Sequence, residues 1–181
     1  MPKKTPHHEI PAAPEAHIEV IDDNGKTLLI MPQMQVLRQK LRHRTVLVSL
    51  RNARGLLYIF KRPIITPGEL HRDVWVPAAH GAVFARESCH EAGTRLLKQV
   101  FGFSDVELVE TATFSQSPTS PEGNIAVTLF LSARTSAIPR LSDQDGAEGM
   151  FVDREEFRAL THNYPYMVTP FWNKVIPYFF S

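Results

Sequence analysis

The chain has 181 residues, 43% of them hydrophobic and 22% charged, which fits one domain with its own core and is too short for two large ones. Lys and Arg number 20 against 19 Asp and Glu, a formal net charge of +1, and this balance argues against a charge-driven nucleic-acid binder. The single cysteine, Cys89, excludes an internal disulfide and a multi-cysteine zinc site, and no apolar run approaches the roughly 18 residues of a spanning helix. Met1-Pro2-Lys3-Lys4-Thr5-Pro6 lacks the apolar core of a secretory signal, so the expected compartment is the cytoplasm, with no membrane and no nucleic-acid partner.

Residues 1–16 carry Pro2, Pro6, Pro11 and Pro14 and few large apolar groups, and are expected to be a flexible extension of a domain over 17–181. His17 to Ile21 alternates as a strand, Asp22-Asp23-Asn24-Gly25 is a turn, and Thr27 to Ile30 returns as the second arm of a hairpin. Pro32 opens a short helix with Met34, Leu37 and Leu41 at helical spacing. Arg44 to Leu50 reads as a strand, Asn52-Ala53-Arg54-Gly55 as a turn, and Leu56 to Phe60 as a strand pairing back. Pro63, Pro67 and Gly68 predict a loop over 61–73, before a short strand at Val74-Trp75-Val76.

Residues 87–101 are the best helix in the chain. Cys89, Ala92, Gly93, Leu96, Leu97 and Val100 form an apolar stripe, and Gly102 stands where a helix-ending glycine belongs. A stripe position favours a buried structural role for the Cys89 thiol. Glu91 and Arg95, four apart, are expected to pair. Two strands follow near 106–115 and 124–133, with a loop at 117–123 between them, and an acidic loop at 143–149 leads to a strand at Met150-Phe151-Val152. Asp153 caps a helix, with Glu156 completing a capping box, and Pro170 starts a final aromatic helix ended by Pro177. The pattern is a mixed α/β sandwich with one dominant helix.

From Gly81 the order is five residues, Glu87, seven residues, Arg95, six residues, then Gly102 and Phe103. This resembles the Nudix box, G-x5-E-x7-R-E-U-x-E-E-x-G-U, where U is a bulky apolar residue. Trp75 to His80 is similar to the family's lead-in. Leu41-Arg42-His43-Arg44, the opening hairpin and the Pro32 helix are similar to the isopentenyl-diphosphate-isomerase-like branch. The resemblance covers roughly residues 17–160. It implies an α/β (α+β) fold, a Nudix-type α/β/α sandwich with a mixed central sheet. It also implies hydrolysis of a nucleoside diphosphate linked to another moiety, with magnesium or manganese held by clustered glutamates. In the box the resemblance assigns Glu87 and Arg95, with Gly81 and Gly102, to a structural contact.

The three metal positions of the box hold Leu96, Gln99 and Val100. Leu96 and Val100 offer no oxygen, and both lie on the apolar stripe. The expected function is therefore a nucleotide- or diphosphate-binding protein without catalysis, or with weak catalysis, needing no cofactor. The alternative is an active hydrolase with relocated metal ligands, His80, His43 and Glu148, holding magnesium, manganese or zinc, with Glu148 as base. Isomerase activity is not expected, because Ala78 and Ala79 stand where the isomerase resemblance places a catalytic cysteine. Arg42, Arg44, Lys61 and Arg62 are the candidate phosphate-binding residues. Trp75, Phe114 and Phe130 are candidates for stacking a base. Homodimerisation is expected by analogy. Phe101 and the stretch Phe171-Trp172 to Phe179-Phe180 are the candidate apolar surface of a purely structural, dimerising module.

Overall fold

The computed structural model describes residues 15–64, 72–117, 124–136, 138–140, 148–168 and 170–180. The expected extension over 1–16 lies almost wholly outside the described residues, as do most of the loop at 117–123 and most of the acidic loop before Glu148.

Strands β1 (His17–Ile21) and β2 (Thr27–Pro32) form the opening hairpin. Its turn is fixed locally: Asp22 Oδ1 accepts from the amides of Asn24 at 2.9 Å and Lys26 at 2.8 Å, and Gly25 takes the left-handed φ of +80° that the turn requires. Helix α1 (Gln33–Arg38) starts after Pro32 as expected. The residue it buries is Val36, whereas Met34 and Leu37 are exposed. A helix of under two turns buries a narrow stripe, and Val36 is the side chain that meets Ile18, Val20 and Ala82 beneath it.

Strand β3 (His43–Ser49) is the spine of the larger sheet, whose order is β2-β1-β3-β8-β7 with β6 (Ala79–Ala82) also paired to β3. β3 and β8 (Ile125–Ser132) run parallel; β7 (Leu108–Ser115) pairs antiparallel with β8, so the sheet is mixed. The return strand behaves differently from expectation. β4 (Leu57–Ile64) meets the segment just after β3 through the Arg51–Leu57 bridge and the Tyr58 amide on the Leu50 carbonyl. It then leaves for a second sheet, ordered β5-β4-β9, with β5 (Arg72–Val76) and β9 (Gly149–Val152). The strand also runs through Lys61–Ile64 despite Pro63, where a loop is predicted, because pairing with β5 extends to Ile64 opposite Arg72.

Helix α2 (Cys89–Phe101) lies on one face of the larger sheet. Its N-terminus is a capping box in which Ser88 Oγ accepts from the Glu91 amide and Glu91 Oε2 accepts from the Ser88 amide at 2.8 Å and hydroxyl at 2.7 Å. Glu91 is thereby held by Ser88, and these hydrogen bonds lower its pKa. It does not make the expected pair with Arg95, whose carboxylate partner is Glu87. Gly93 lets the helix approach the sheet, since a Cβ there would sit 3.0 Å from Leu108 and 3.4 Å from Phe130. Gly102 ends the helix with φ +77°. Cys89 is half-buried, and the Thr128 hydroxyl donates to its sulfur at 3.6 Å.

Helices α3 (Arg154–Asn163) and α4 (Pro170–Phe179) close the chain, separated by a single 3-10 turn at Pro165–Met167. Asp153 and Glu156 form the predicted capping box. α4 does not end at Pro177. It continues to Phe179, which is 1% exposed and whose ring centroid lies 6.5 Å from that of Trp172, so burial of the aromatic face outweighs the lost proline hydrogen bond. Phe101, Phe171, Trp172 and Phe179 are all buried core, which removes them as a dimerising surface.

Gly149 opens β9 against Tyr58 of β4, and a Cβ at Gly149 would overlap the Tyr58 hydroxyl. Tyr58 is buried and packs on Phe60, Phe101 and Phe151, so the ring has little room to yield. Gly149→Val is expected to destabilise the protein by about 2–3 kcal/mol. A urea unfolding midpoint equal to that of the wild type would contradict this.

Candidate functional site

The segment from Gly81 to Gly102 is a loop and helix locked by one ion pair. Arg95 Nε donates to Glu87 Oε1 and Arg95 Nη2 to Glu87 Oε2, both at 2.8 Å, and Nη2 also reaches the Ala82 carbonyl at 2.9 Å. The Phe84 amide donates to Glu87 Oε2 at 2.9 Å, and the guanidinium carbon lies 3.8 Å from the Phe84 ring centroid. Burial by itself would raise the Glu87 pKa, but the hydrogen bonds from Arg95 and Phe84 and the Arg95 charge outweigh it and hold the carboxylate below its usual range. These contacts tie strand β6, the turn after it and helix α2 into one unit.

The positions where the box places metal-binding glutamates do something else. Leu96 is buried, and its Cδ2 lies 2.9 Å from where a Cβ on Gly81 would be. The leucine therefore occupies the space that the glycine leaves open. Val100 is partly buried against the same core. Gln99 is exposed, with its Oε1 accepting a long 3.5 Å hydrogen bond from Arg95. A divalent cation needs several oxygen ligands, and this face of α2 presents hydrocarbon and one amide already turned toward a cation. The residues present do not fit a metal ion.

The relocated ligand set is not assembled either. Among the described residues no three His, Cys, Asp or Glu side chains gather so as to hold a metal ion. Glu148 forms an ion pair with Lys61 on the second sheet. The nitrogen Nδ1 of His80 accepts from Arg62 at 3.1 Å. His43, on β3, is buried, with Nδ1 donating to the Leu41 carbonyl at 2.8 Å.

The basic residues also separate. Arg42 is spent on Asn124 and Ser115, each at 2.9 Å, with Asp23 at 3.6 Å. Arg44 pairs with Glu19 at 2.7 Å and with the Gly25 carbonyl. Both brace the opening hairpin on the sheet. Lys61 lies over the Trp75 ring, 5.3 Å from its centroid. Arg62, the next residue on β4, points to the other side, because successive side chains on a strand alternate.

Arg62 there enters a cleft of about 570 Å³, a volume within the ordinary range of small-molecule sites. One wall is the sheet face of His43, Thr45 and Leu47 with Ile125, opposite the face that carries α2. Val74 and Val76 of β5 form a second wall, and Phe171 and Trp172 of α4 a third. His80 and Gly81 complete it beside Arg62. Gly81 touches both the cleft and helix α2: it lines the one, and its bare Cα receives Leu96 from the other.

The aromatic candidates fall elsewhere. Phe130 faces α2, where His90 meets it edge-on at 5.9 Å; Phe114 stacks on Tyr178; Trp75 lies under Lys61. The aromatic groups of the cleft are Phe171 and Trp172, which the sequence offers as part of an apolar surface stretch. Only the packing of α4 across the sheets brings them there.

No family model matches the chain, and no curated protein matches it. Solved structures do resemble it. The crystal structure of DR0079 from Deinococcus radiodurans superposes with a TM-score of 0.70 at 19% identity, covering 89% of this chain and 97% of that one. A MutT protein from Methanosarcina mazei Go1 gives 0.59 at 16% identity, covering 76% and 92%. A NUDIX hydrolase from Nitrosomonas europaea gives 0.53 at 16%, covering 75% and 86%. At these identities the likeness speaks to architecture, and the architecture of this chain, a mixed sheet with helix α2 on one face and the cleft on the other, is the fold of the Nudix and MutT hydrolases.

Proposed function

We propose that this Nudix-fold chain binds a nucleotide or another small diphosphate in the cleft between the sheets and α4, with metal-dependent hydrolysis lost or reduced to a trace. The observation that carries this reading is Leu96 seated on Gly81, which puts hydrocarbon where pyrophosphate chemistry needs a cation. Arg62, beside His80 in a mostly apolar cleft, is the group best placed to receive a phosphate. The isomerase-like branch stays part of this proposal on the strength of the opening hairpin, the Pro32 helix and Leu41-Arg42-His43-Arg44.

Titration calorimetry with magnesium and manganese alone is expected to detect no tight site. A screen of nucleoside diphosphate derivatives is expected to give turnover far below the usual enzymatic range of about 1–10³ s⁻¹. Turnover in that range, abolished by a chelator and by Glu148→Gln or His80→Ala, would overturn the reading in favour of relocated ligands. Arg62→Ala is expected to weaken ADP binding about tenfold, roughly 1.4 kcal/mol, with an unchanged melting temperature.

The same reading includes a homodimer. β2 is an edge strand, and Leu28, Leu29 and Ile30 on it, with Met34 on α1, are exposed. Sedimentation equilibrium is expected to give twice the 20.5 kDa chain mass. A monomer at high micromolar concentration would remove this part.

A further inference from the structure

The two ends of the cleft differ in chemistry. At the Arg62–His80 end the groups are cationic or donors. At the other end stand His43 and Thr45, two residues apart on β3 and facing the cleft together. Both are more than nine-tenths buried. The Leu41 carbonyl only accepts, so the proton of His43 sits on Nδ1, and Nε2 keeps its lone pair. Burial lowers the His43 pKa. Among the described residues neither His43 Nε2 nor the Thr45 hydroxyl has a protein partner, and neither is sealed off from the cleft. Buried polar groups of this kind are ordinarily satisfied, so two such groups facing a cavity point to a ligand.

The spacing fits one particular kind of ligand. Leu47 lies opposite His80 in the β3–β6 register, and it is four residues beyond His43 on the same strand. At the rise of a strand the two ends are about 13 Å apart. That is comparable to the reach from the outer edge of a base to the terminal phosphate of an extended nucleoside diphosphate. The walls between are apolar and aromatic, as a flat heterocycle and its sugar would require.

Building on the proposed diphosphate site, we infer that its ligand is a nucleoside diphosphate with an amino-bearing base, the amino group donating to His43 Nε2 and the adjacent ring nitrogen accepting from the Thr45 hydroxyl. The phosphates then lie at Arg62 and His80. A base with a carbonyl in place of the amino group sets an acceptor against the His43 lone pair, and a site built to bond a donor rejects the analogue that lacks it.

The test is calorimetry on the full chain with four probes, ADP, CDP, IDP and UDP, and with inorganic pyrophosphate as reference. ADP and CDP are expected to bind at least tenfold more tightly than IDP and UDP. His43→Phe and Thr45→Val are expected to erase that difference while leaving pyrophosphate binding unchanged. Both variants replace a buried side chain by one of similar size, and circular dichroism establishes that they are folded. Should all four nucleotides bind alike, or should the preference survive in both folded variants, the inference fails while the diphosphate site stands. Should neither nucleotide nor pyrophosphate bind the wild type, the diphosphate reading itself fails.

Discussion

Leu96→Glu is expected to lower the unfolding free energy by about 4 kcal/mol at neutral pH without divalent cations. Two losses add. The first is the burial of a leucine side chain that is 6% exposed and fills the space over Gly81. The second is the cost of confining a carboxylate in the apolar core that Leu96 shares with Ala92 and Leu97; Arg95, the residue before it, is already closed on Glu87. The measurement is the denaturant midpoint at constant slope. A variant within about 1 kcal/mol of wild type would mean that position 96 is open to water and that hydrocarbon does not fill the space over Gly81.

Arg95→Ala is expected to cost about 2 kcal/mol, because it leaves a half-buried Glu87 carboxylate with one amide donor in place of three hydrogen bonds. Glu87→Gln keeps the shape and removes the charge, so its expected cost is smaller, about 1–2 kcal/mol. The pair also sets an acid dependence. The folded-state pKa of Glu87 is depressed, so its contribution is fully present above the unfolded value near 4.3 and is lost as the pH falls through the folded value. Stability measured from pH 6 downward is expected to fall less steeply in Glu87→Gln than in wild type below about pH 4.5. Parallel curves would show that the carboxylate gains nothing from its partners in the fold.

The two experiments bear on different halves of one motif. Glu87 and Arg95 belong to the part that shapes the loop and helix, and their contacts are made within the chain. Leu96, Gln99 and Val100 stand where the resemblance places cation ligands, and there Leu96 is buried, Val100 partly buried and Gln99 an exposed amide. A protein can keep the first without the second because the shape of the segment depends on the ion pair and the helix caps, not on the metal.

Much of this was legible in the residues themselves. The hairpin turn at Asp22–Gly25, the capped helix from Ser88 to Gly102 and the capping box at Asp153 are local devices, and each closes its hydrogen bonds within a few residues. The apolar stripe of α2 is a periodic pattern and reads directly. What local pattern could not decide was which strand leaves one sheet for another, whether an arginine is spent on a neighbour, and which aromatic residues meet across a cavity. β4 continues through Pro63 because β5, reached only after an intervening segment, pairs with it. Arg42 and Arg44 look like a phosphate patch in one dimension and are bound by Asn124, Ser115 and Glu19 in three. Sequence by itself determined the Gly81, Glu87, Arg95 and Gly102 spacing and the residue types Leu96, Gln99 and Val100, since both are matters of residue type at fixed spacing along one segment. The cleft, with His43 and Thr45 at one end and Arg62 at the other, was decided by tertiary structure alone, because its walls come from segments more than a hundred residues apart that meet only when two sheets and a terminal helix bury their apolar faces together.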